Sequence, residues 1–329
     1  SELLQHVVGV RHSRALFEGL VLPAVPHAAP GRVHRAELAS ALAMLLFEGL
    51  TTRVPMAAMR WEEERRAGRK LTLDHGAVRT VAMPCGELAS GRAAITRLLE
   101  PLGYRRTGVY DLSAIGMTGY AYTQVDLPES VMQYFVSELH PGQFSPNFQA
   151  ACARVVGTTR DPLTHRAYED LTELRSRQSL SLERASRLLP DLVACFERQH
   201  STPWLADYEF LLAESEEMAW IATEGHTFNH AAERVEAVDA LAQTQRRLQR
   251  PIKNETEVSA SGRVAQTAFR ASLVERSFVA NDGTLLTRSV PGSFHELISR
   301  RSRPDGTLDL AFDARNAQRI FAMTSRRAV

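Results

Sequence analysis

Two short segments far apart in the chain read as copies of one another: Asp74-His75-Gly76-Ala77-Val78-Arg79-Thr80 and Asn229-His230-Ala231-Ala232-Glu233-Arg234-Val235. Both follow a polar-His-x-Ala-x-Arg pattern, and each opens a stretch that reads as strand, helix, then further strands. Side chains alternate faces along a strand, so His75, Ala77 and Arg79 share one face while Asp74 and Val78 take the other. The same rule groups His230, Ala232 and Arg234. A duplicated strand that aims one histidine per copy into a shared space is a way for a two-module barrel to build a metal site, and internal repetition constrains a fold more than any single motif.

The texture around the repeats agrees with this division. Residues 1–70 read as helical, with apolar helical spacing over Glu37–Leu50 and a charged run, Glu62-Glu63-Glu64-Arg65-Arg66, that suits a solvated helix face. Residues 71–140 form the first module: a strand over Leu73–Met83, a helix over Gly91–Leu102 stopped by Gly103, and strands over Tyr104–Leu112, Gly119–Leu127 and Met132–Leu139. Residues 141–224 return to helical spacing, most clearly in Leu182–Gln199, which Ser181 is placed to cap, and in Tyr208–Ile221. Residues 225–303 repeat the module, with a strand through Val235 and a helix over Ala237–Leu248. Strands follow near Val258–Ser261, Ala268–Val279 and Leu285–Arg301, the last two joined by the hairpin signal Asn281-Asp282-Gly283. The tail, 304–329, carries no signal. The expectation is an α+β fold in which two βαβββ modules form a half-open barrel, with helical segments before the first and between the two.

Composition narrows the class. With 329 residues, 44% hydrophobic and 23% charged, the chain can bury a large core. A formal net charge of +1 offers no basic surface for nucleic acid or membrane. Cys85, Cys152 and Cys195 are too widely spaced for a cysteine zinc site or a disulfide framework and suit a reducing compartment. A cytoplasmic, soluble protein is the expectation, and the sequence leaves its oligomeric state open.

Two histidines from equivalent strands need a third ligand. Glu296, in Pro291-Gly292-Ser293-Phe294-His295-Glu296-Leu297-Ile298, shares a strand face with Phe294 and Ile298. A carboxylate among apolar neighbours is costly unless it is paired or binds a metal. Two histidines and one carboxylate make the facial set typical of non-haem Fe(II) oxygenases, though manganese, cobalt, nickel or zinc could take the same ligands. His226 rivals His230, because four residues apart the two share a face on a helix and on a strand alike; the repeat register selects His230. His6, His12, His27, His34, His140, His165, His200 and His295 show no partner spacing and read as structural. Glu138, near the end of the first module's last strand, is a rim residue or a further carboxylate. Arg79 lies on the His75 face, where its planar fork suits a carboxylate; Arg234, its counterpart, reads as structural. Ser261, Arg263 and Gln266 are polar on an expected inner strand, and Gln266 could hydrogen-bond a bound acid.

At these residues the chain resembles the 2-oxoadipate dioxygenase/decarboxylase family, the D-2-hydroxyglutarate synthases of lysine catabolism, which have a vicinal-oxygen-chelate fold with helical insertions. The segments that carry the resemblance are TLDHGAVRT at 72–80, LPESVMQYFVSEL at 127–139, the 220–235 stretch ending in FNHAAERV, and PGSFHEL near the end. The resemblance implies metal ligands at His75, His230 and Glu296 and a substrate-carboxylate arginine, with a catalytic part in orienting substrate, at Arg79. It further implies Fe(II) as cofactor. A 2-oxo acid would bind through its carboxylate and keto oxygens, react with O₂ as its own reductant, lose CO₂ and be hydroxylated. Glyoxalase-type isomerisation, extradiol ring cleavage and a non-catalytic small-acid-binding module are the competing expectations.

Overall fold

In the computed structural model, which describes residues 2–26, 28–314, 320 and 322–324, the N-terminal segment is helical, as its apolar spacing requires. His27 lies outside the described residues. The helices α1 (Glu2–Val8) and α2 (Val10–Gly19) precede a short strand β1 (Arg32–His34) and the helices α3 (Arg35–Thr51) and α4 (Pro55–Arg66). In α3, Leu38, Leu42, Phe47 and Leu50 are all buried, and the His34 ring caps its first turn by accepting from the Ala36 N–H. The charged run in α4 is only partly a solvated face. Glu62 pairs outside with Arg65 and Arg66, whereas Glu63 and Glu64 turn to the buried Arg60, which also meets Glu233 at 2.7 Å.

The first module comprises β2 (Thr72–Val81), α5 (Ala93–Leu99), β3 (Tyr104–Leu112), β4 (Met117–Gln124) and β5 (Gln133–Leu139). The insertion holds α6 (Pro146–Val156), α7 (His165–Arg177), β6 (Ser179–Ser181), α8 (Leu182–Ala194), α9 (Leu205–Glu214) and α10 (Glu216–Glu224). Ser181 caps α8, as its position suggests. Tyr208–Ile221, which reads as one helix, is two. Ser215 is extended (φ −149°, ψ 109°) and its hydroxyl accepts from the Met218 N–H, so it ends α9 and starts α10. The strand pair β1–β6 ties the insertion to the N-terminal segment.

The second module is β7 (His230–Arg234), α11 (Val238–Arg247), β8 (Glu257–Val258), β9 (Val264–Ala268), β10 (Leu273–Val279), β11 (Leu285–Pro291) and β12 (Phe294–Arg300). Here the expected strands are redistributed. Residues 268–279 contain the end of β9 and all of β10, and residues 285–301 split at Gly292-Ser293 into β11 and β12. The Asn281-Asp282-Gly283 turn does form a hairpin, with Gly283 at φ +83°, but β10 and β11 make a separate two-stranded sheet outside the barrel.

The remaining eight strands form one curled, half-open sheet in the order β3-β4-β5-β2-β7-β12-β9-β8. In each module the first strand lies parallel to the last, and the two modules join through β2 and β7, which run antiparallel. The repeated segments therefore lie side by side at the middle of the sheet. Helices cover both faces of its central strands. Val78, Tyr134, Val136 and Ala231 pack into the cluster that holds α3 and α8, while Ala77, Phe135 and Val81 pack into the cluster that holds α6, α9 and α10. Gly76 is required by that packing: a Cβ there would stand 2.4 Å from the Phe228 ring. Among the described residues, no single helix is long and apolar enough to cross a membrane.

Candidate metal centre

His75 from β2, His230 from β7 and Glu296 from β12 converge at the joint between the modules. His230 Nε2 lies 3.3 Å from His75 Nε2 and 3.2 Å from Glu296 Oε2, and His75 Nε2 lies 3.7 Å from the same oxygen. Three ligands about 2.1 Å from one ion, each at about 90° to the next, stand about 3 Å apart, so these separations fit a single first-row metal. All three side chains are buried, and Glu296 Oε1 has no hydrogen-bond partner among the described residues. A carboxylate oxygen left unpaired in the interior is a strong reason to expect a cation. Burial, reinforced by Asp74 and Glu257, raises the Glu296 carboxyl well above its ordinary range. A bound cation reverses that preference. Burial also lowers His75 and His230, leaving neutral rings that can donate a lone pair.

The backbone departs from simple alternation at one point, and the departure matters. Between Leu73 and His75 the β2–β7 register shifts, so Asp74 is the extra residue of a β-bulge. A bulge re-aims a side chain that alternation would send to the other face. Asp74 consequently sits beside His75, not behind it: its Oδ1 lies 2.9 Å from His75 Nδ1. That contact holds the proton on Nδ1 and turns Nε2 toward Glu296, the usual way an outer carboxylate orients a ligand histidine. Burial alone would raise the Asp74 carboxyl; Arg300, His75 and Arg234 outweigh it and hold the group well below the usual carboxylate range. Arg300 Nη2 and Nε donate to Asp74 Oδ1 and Oδ2, each at 2.9 Å, and Arg234 Nε donates to Oδ2 at 2.7 Å. Arg234 is thus part of the framework, as expected. His230 instead stacks on Phe294, ring centroids 4.7 Å apart.

The two modules are unequal in a definite way. The parallel pairings place Glu296 beside Ala232 in the second module and Phe135 beside Ala77 in the first, so Phe135 occupies the position that matches Glu296. Three ligands and one apolar wall result. The space over the triad is lined by Ala77, Phe135, Gln266, Phe312, Asp313 and Ile320 and measures about 20 Å³, room for roughly one water. The tail, silent in the sequence, supplies half of that lining. Arg300 Nη1 donates to the carbonyls of Asp309 and Ala311, both at 2.9 Å, and Phe312 packs edge-on against His75 with centroids 4.9 Å apart.

The other expected site residues fall as follows. Gln266, on β9, is buried and lines the space over the triad. Ser261 and Arg263 do not lie on an inner strand; they precede β9 and bond to Asp309. Glu138 turns away and accepts from the Arg92 N–H at 2.6 Å. His226 stays outside the triad, its N–H bonded to the Glu197 carbonyl, and burial with the nearby His200 and Arg97 pushes its ring down to about 4. His295 points to the opposite face, 3.3 Å from Glu233. Arg79, fully buried, lies one step beyond Ala77 along β2. Its Nη2 is 2.8 Å from Glu217 Oε2 and donates to Thr324 Oγ1 at 3.0 Å, with its guanidinium 4.8 Å from the centre of the Trp220 ring. A larger groove of about 840 Å³ on the outside of β3 and β4 lies away from the triad; its Arg35 and Arg175 are engaged by Asp126 and Glu100.

No curated protein matches the chain significantly. Among solved structures, it is 48% identical to a protein assigned to the glyoxalase superfamily from Ralstonia eutropha JMP134, with a TM-score of 0.92 over 95% of this chain and 97% of that one. It shares its fold with the hydroxyglutarate synthase of Oryza sativa, solved with 2-oxoadipate, at 18% identity and a TM-score of 0.68 over 94% of this chain and 99% of that one. The hydroxyglutarate synthase of Pseudomonas putida, also solved with 2-oxoadipate, gives 19% identity and a TM-score of 0.63, covering 90% and 74% of the two chains. The family model for 2-oxoadipate dioxygenase/decarboxylase matches residues 46–306. By that match, the chain belongs to the 2-oxoadipate dioxygenase/decarboxylase family.

Proposed function

We propose that this protein is an Fe(II)-dependent dioxygenase that decarboxylates a 2-oxo dicarboxylic acid of the 2-oxoadipate kind, with His75, His230 and Glu296 as the metal ligands. The reading has a balanced stoichiometry: a six-carbon 2-oxo diacid and O₂ give a five-carbon 2-hydroxy diacid and CO₂. The observation that carries it is the buried triad, whose three ligand atoms lie 3.2–3.7 Å apart and leave one side of the ion's shell to a cavity instead of a fourth side chain. When bound, the iron supplies O₂ activation, with the 2-oxo acid as reductant. Around it, Asp74 holds His75 in its donating tautomer, and Gln266 donates or accepts a hydrogen bond at the acid head group. Phe135, Phe312 and Ile320 exclude water from the reacting carbon. Arg79 receives the distal carboxylate. Because the space above the triad holds only about one water, the side chains of Phe312 and Ile320 give way when the acid enters.

A second reading, glyoxalase-type isomerisation on the same ligands, draws on the glyoxalase assignment of the R. eutropha protein. One assay separates the readings. With Fe(II) and 2-oxoadipate, the proposed reaction consumes O₂ and releases CO₂ in equal amounts. O₂ uptake without CO₂ indicates ring-cleavage-type chemistry, and neither gas change, across a panel of 2-oxo acids, contradicts the dioxygenase reading.

A further inference from the structure

Arg79 is not waiting with an open charge. α10 covers it twice: Trp220 lays its ring against the guanidinium, and Glu217, one turn earlier on the same helix, brings a carboxylate to 2.8 Å. Both partners are buried, so the guanidinium and the carboxylate meet where solvent screens their attraction little. Arg79 shares a strand face with His75 and Ala77, and its charge acts on His230, so it is the guanidinium that the dioxygenase reading assigns to the far end of the acid. Two carboxylates cannot both be satisfied by one buried guanidinium without a cost in desolvation and repulsion.

Resting on the dioxygenase reading, we propose that Glu217 is a built-in counter-ion that competes with the substrate's distal carboxylate for Arg79, and that it sets the cavity's choice between dicarboxylic and monocarboxylic 2-oxo acids. A monocarboxylic acid with an apolar tail leaves the Arg79–Glu217 pair intact and packs against Ala77, Phe135 and Ile320. A dicarboxylic acid displaces Glu217, which then becomes a buried carboxylate without its cation and takes up a proton. Among the described residues, the charged groups acting on Glu217 are Arg79 from β2 and Glu216 from its own helix. The adjoining surface, lined by Glu214, Glu216, Gln143 and Phe144, places no cation beside it among the described residues. Even with Arg79 beside it, burial pushes the Glu217 carboxyl up to about 7, with Glu216 adding to the rise, so the proton is taken readily.

Two measurements on the metal-loaded protein test this. The first compares kcat/KM for 2-oxoadipate and for 2-oxohexanoate, which has the same chain length and no second carboxylate, in wild type and Glu217→Gln. Removing the competing charge should raise the 2-oxoadipate/2-oxohexanoate ratio by roughly tenfold, through KM. The second is calorimetric binding of each acid to the Co(II)-loaded wild type at pH 8 in two buffers of different ionisation enthalpy. 2-Oxoadipate should bind with uptake of about one proton and 2-oxohexanoate with none. An unchanged ratio in Glu217→Gln, or equal proton counts for the two acids, overturns the proposal. The proton count uses only the wild-type chain and so decides the matter if the variant fails to fold. If both acids bind but neither drives O₂ uptake, the dioxygenase reading fails while the proton count still tests Glu217. If neither acid binds, both fall.

Discussion

Asp74 is asked to do two things that oppose each other. It must carry a negative charge in a fully buried place, and it must direct the proton of His75 to Nδ1. Arg300 and Arg234 reconcile these demands by keeping the carboxylate ionised, and Arg300 at the same time fastens the tail over the site. Asp74→Asn keeps the side chain's shape and removes its charge. Metal affinity should fall on the order of 10- to 100-fold in a Co(II) titration. The Tm should also drop, because the buried Arg300 and the partly buried Arg234 lose their counter-ion. Unchanged affinity would assign Asp74 a purely structural part. The three triad residues were legible because the repeat marks both histidines and an isolated carboxylate in an apolar strand marks the third. Strand alternation sends Asp74 to the face opposite His75, and the structure differs because a bulge is a backbone event that no side-chain pattern announces. Arg300 and Phe312 had no periodic signal, because each acts through contacts between segments far apart in the chain.

At the scale of elements, alternation and helical spacing located most strands and helices and failed where packing overrode them. The central strands β2, β5 and β12 are buried on both faces, so their sequences lack the apolar–polar alternation that would have fixed their ends. The break between α9 and α10 rests on one cap. Without it, the two helices read as one, and Glu217 and Trp220 would not be set at the start of a helix facing Arg79. Ser215→Ala removes the hydroxyl that accepts from Met218 N–H and should cost about 1 kcal/mol of stability, read from the midpoint of urea unfolding. A loss well below that value would mean that α10 is held by the packing of Met218 and Trp220 instead of by its cap.

For the molecule as a whole, the duplication explains the site's position and its inequality explains the chemistry open to it. Joining two modules through antiparallel first strands puts His75 and His230 across one seam. Perfect symmetry would have supplied a second carboxylate, and Phe135 stands in its place. The helical layers then bury the central strands on both sides, and the tail closes the seam from above. On the reading proposed above, His75, His230 and Glu296 together hold one divalent ion. The most direct test of that reading is a titration of the metal-free protein with Co(II), followed by absorption and by Tm. Wild type should bind one ion per chain with a rise in Tm; His75→Ala, His230→Ala and Glu296→Ala should each lose that binding with an unchanged circular dichroism spectrum. A wild type that binds no ion, or triad variants that bind as well as it does, would show that these three residues do not form a metal site.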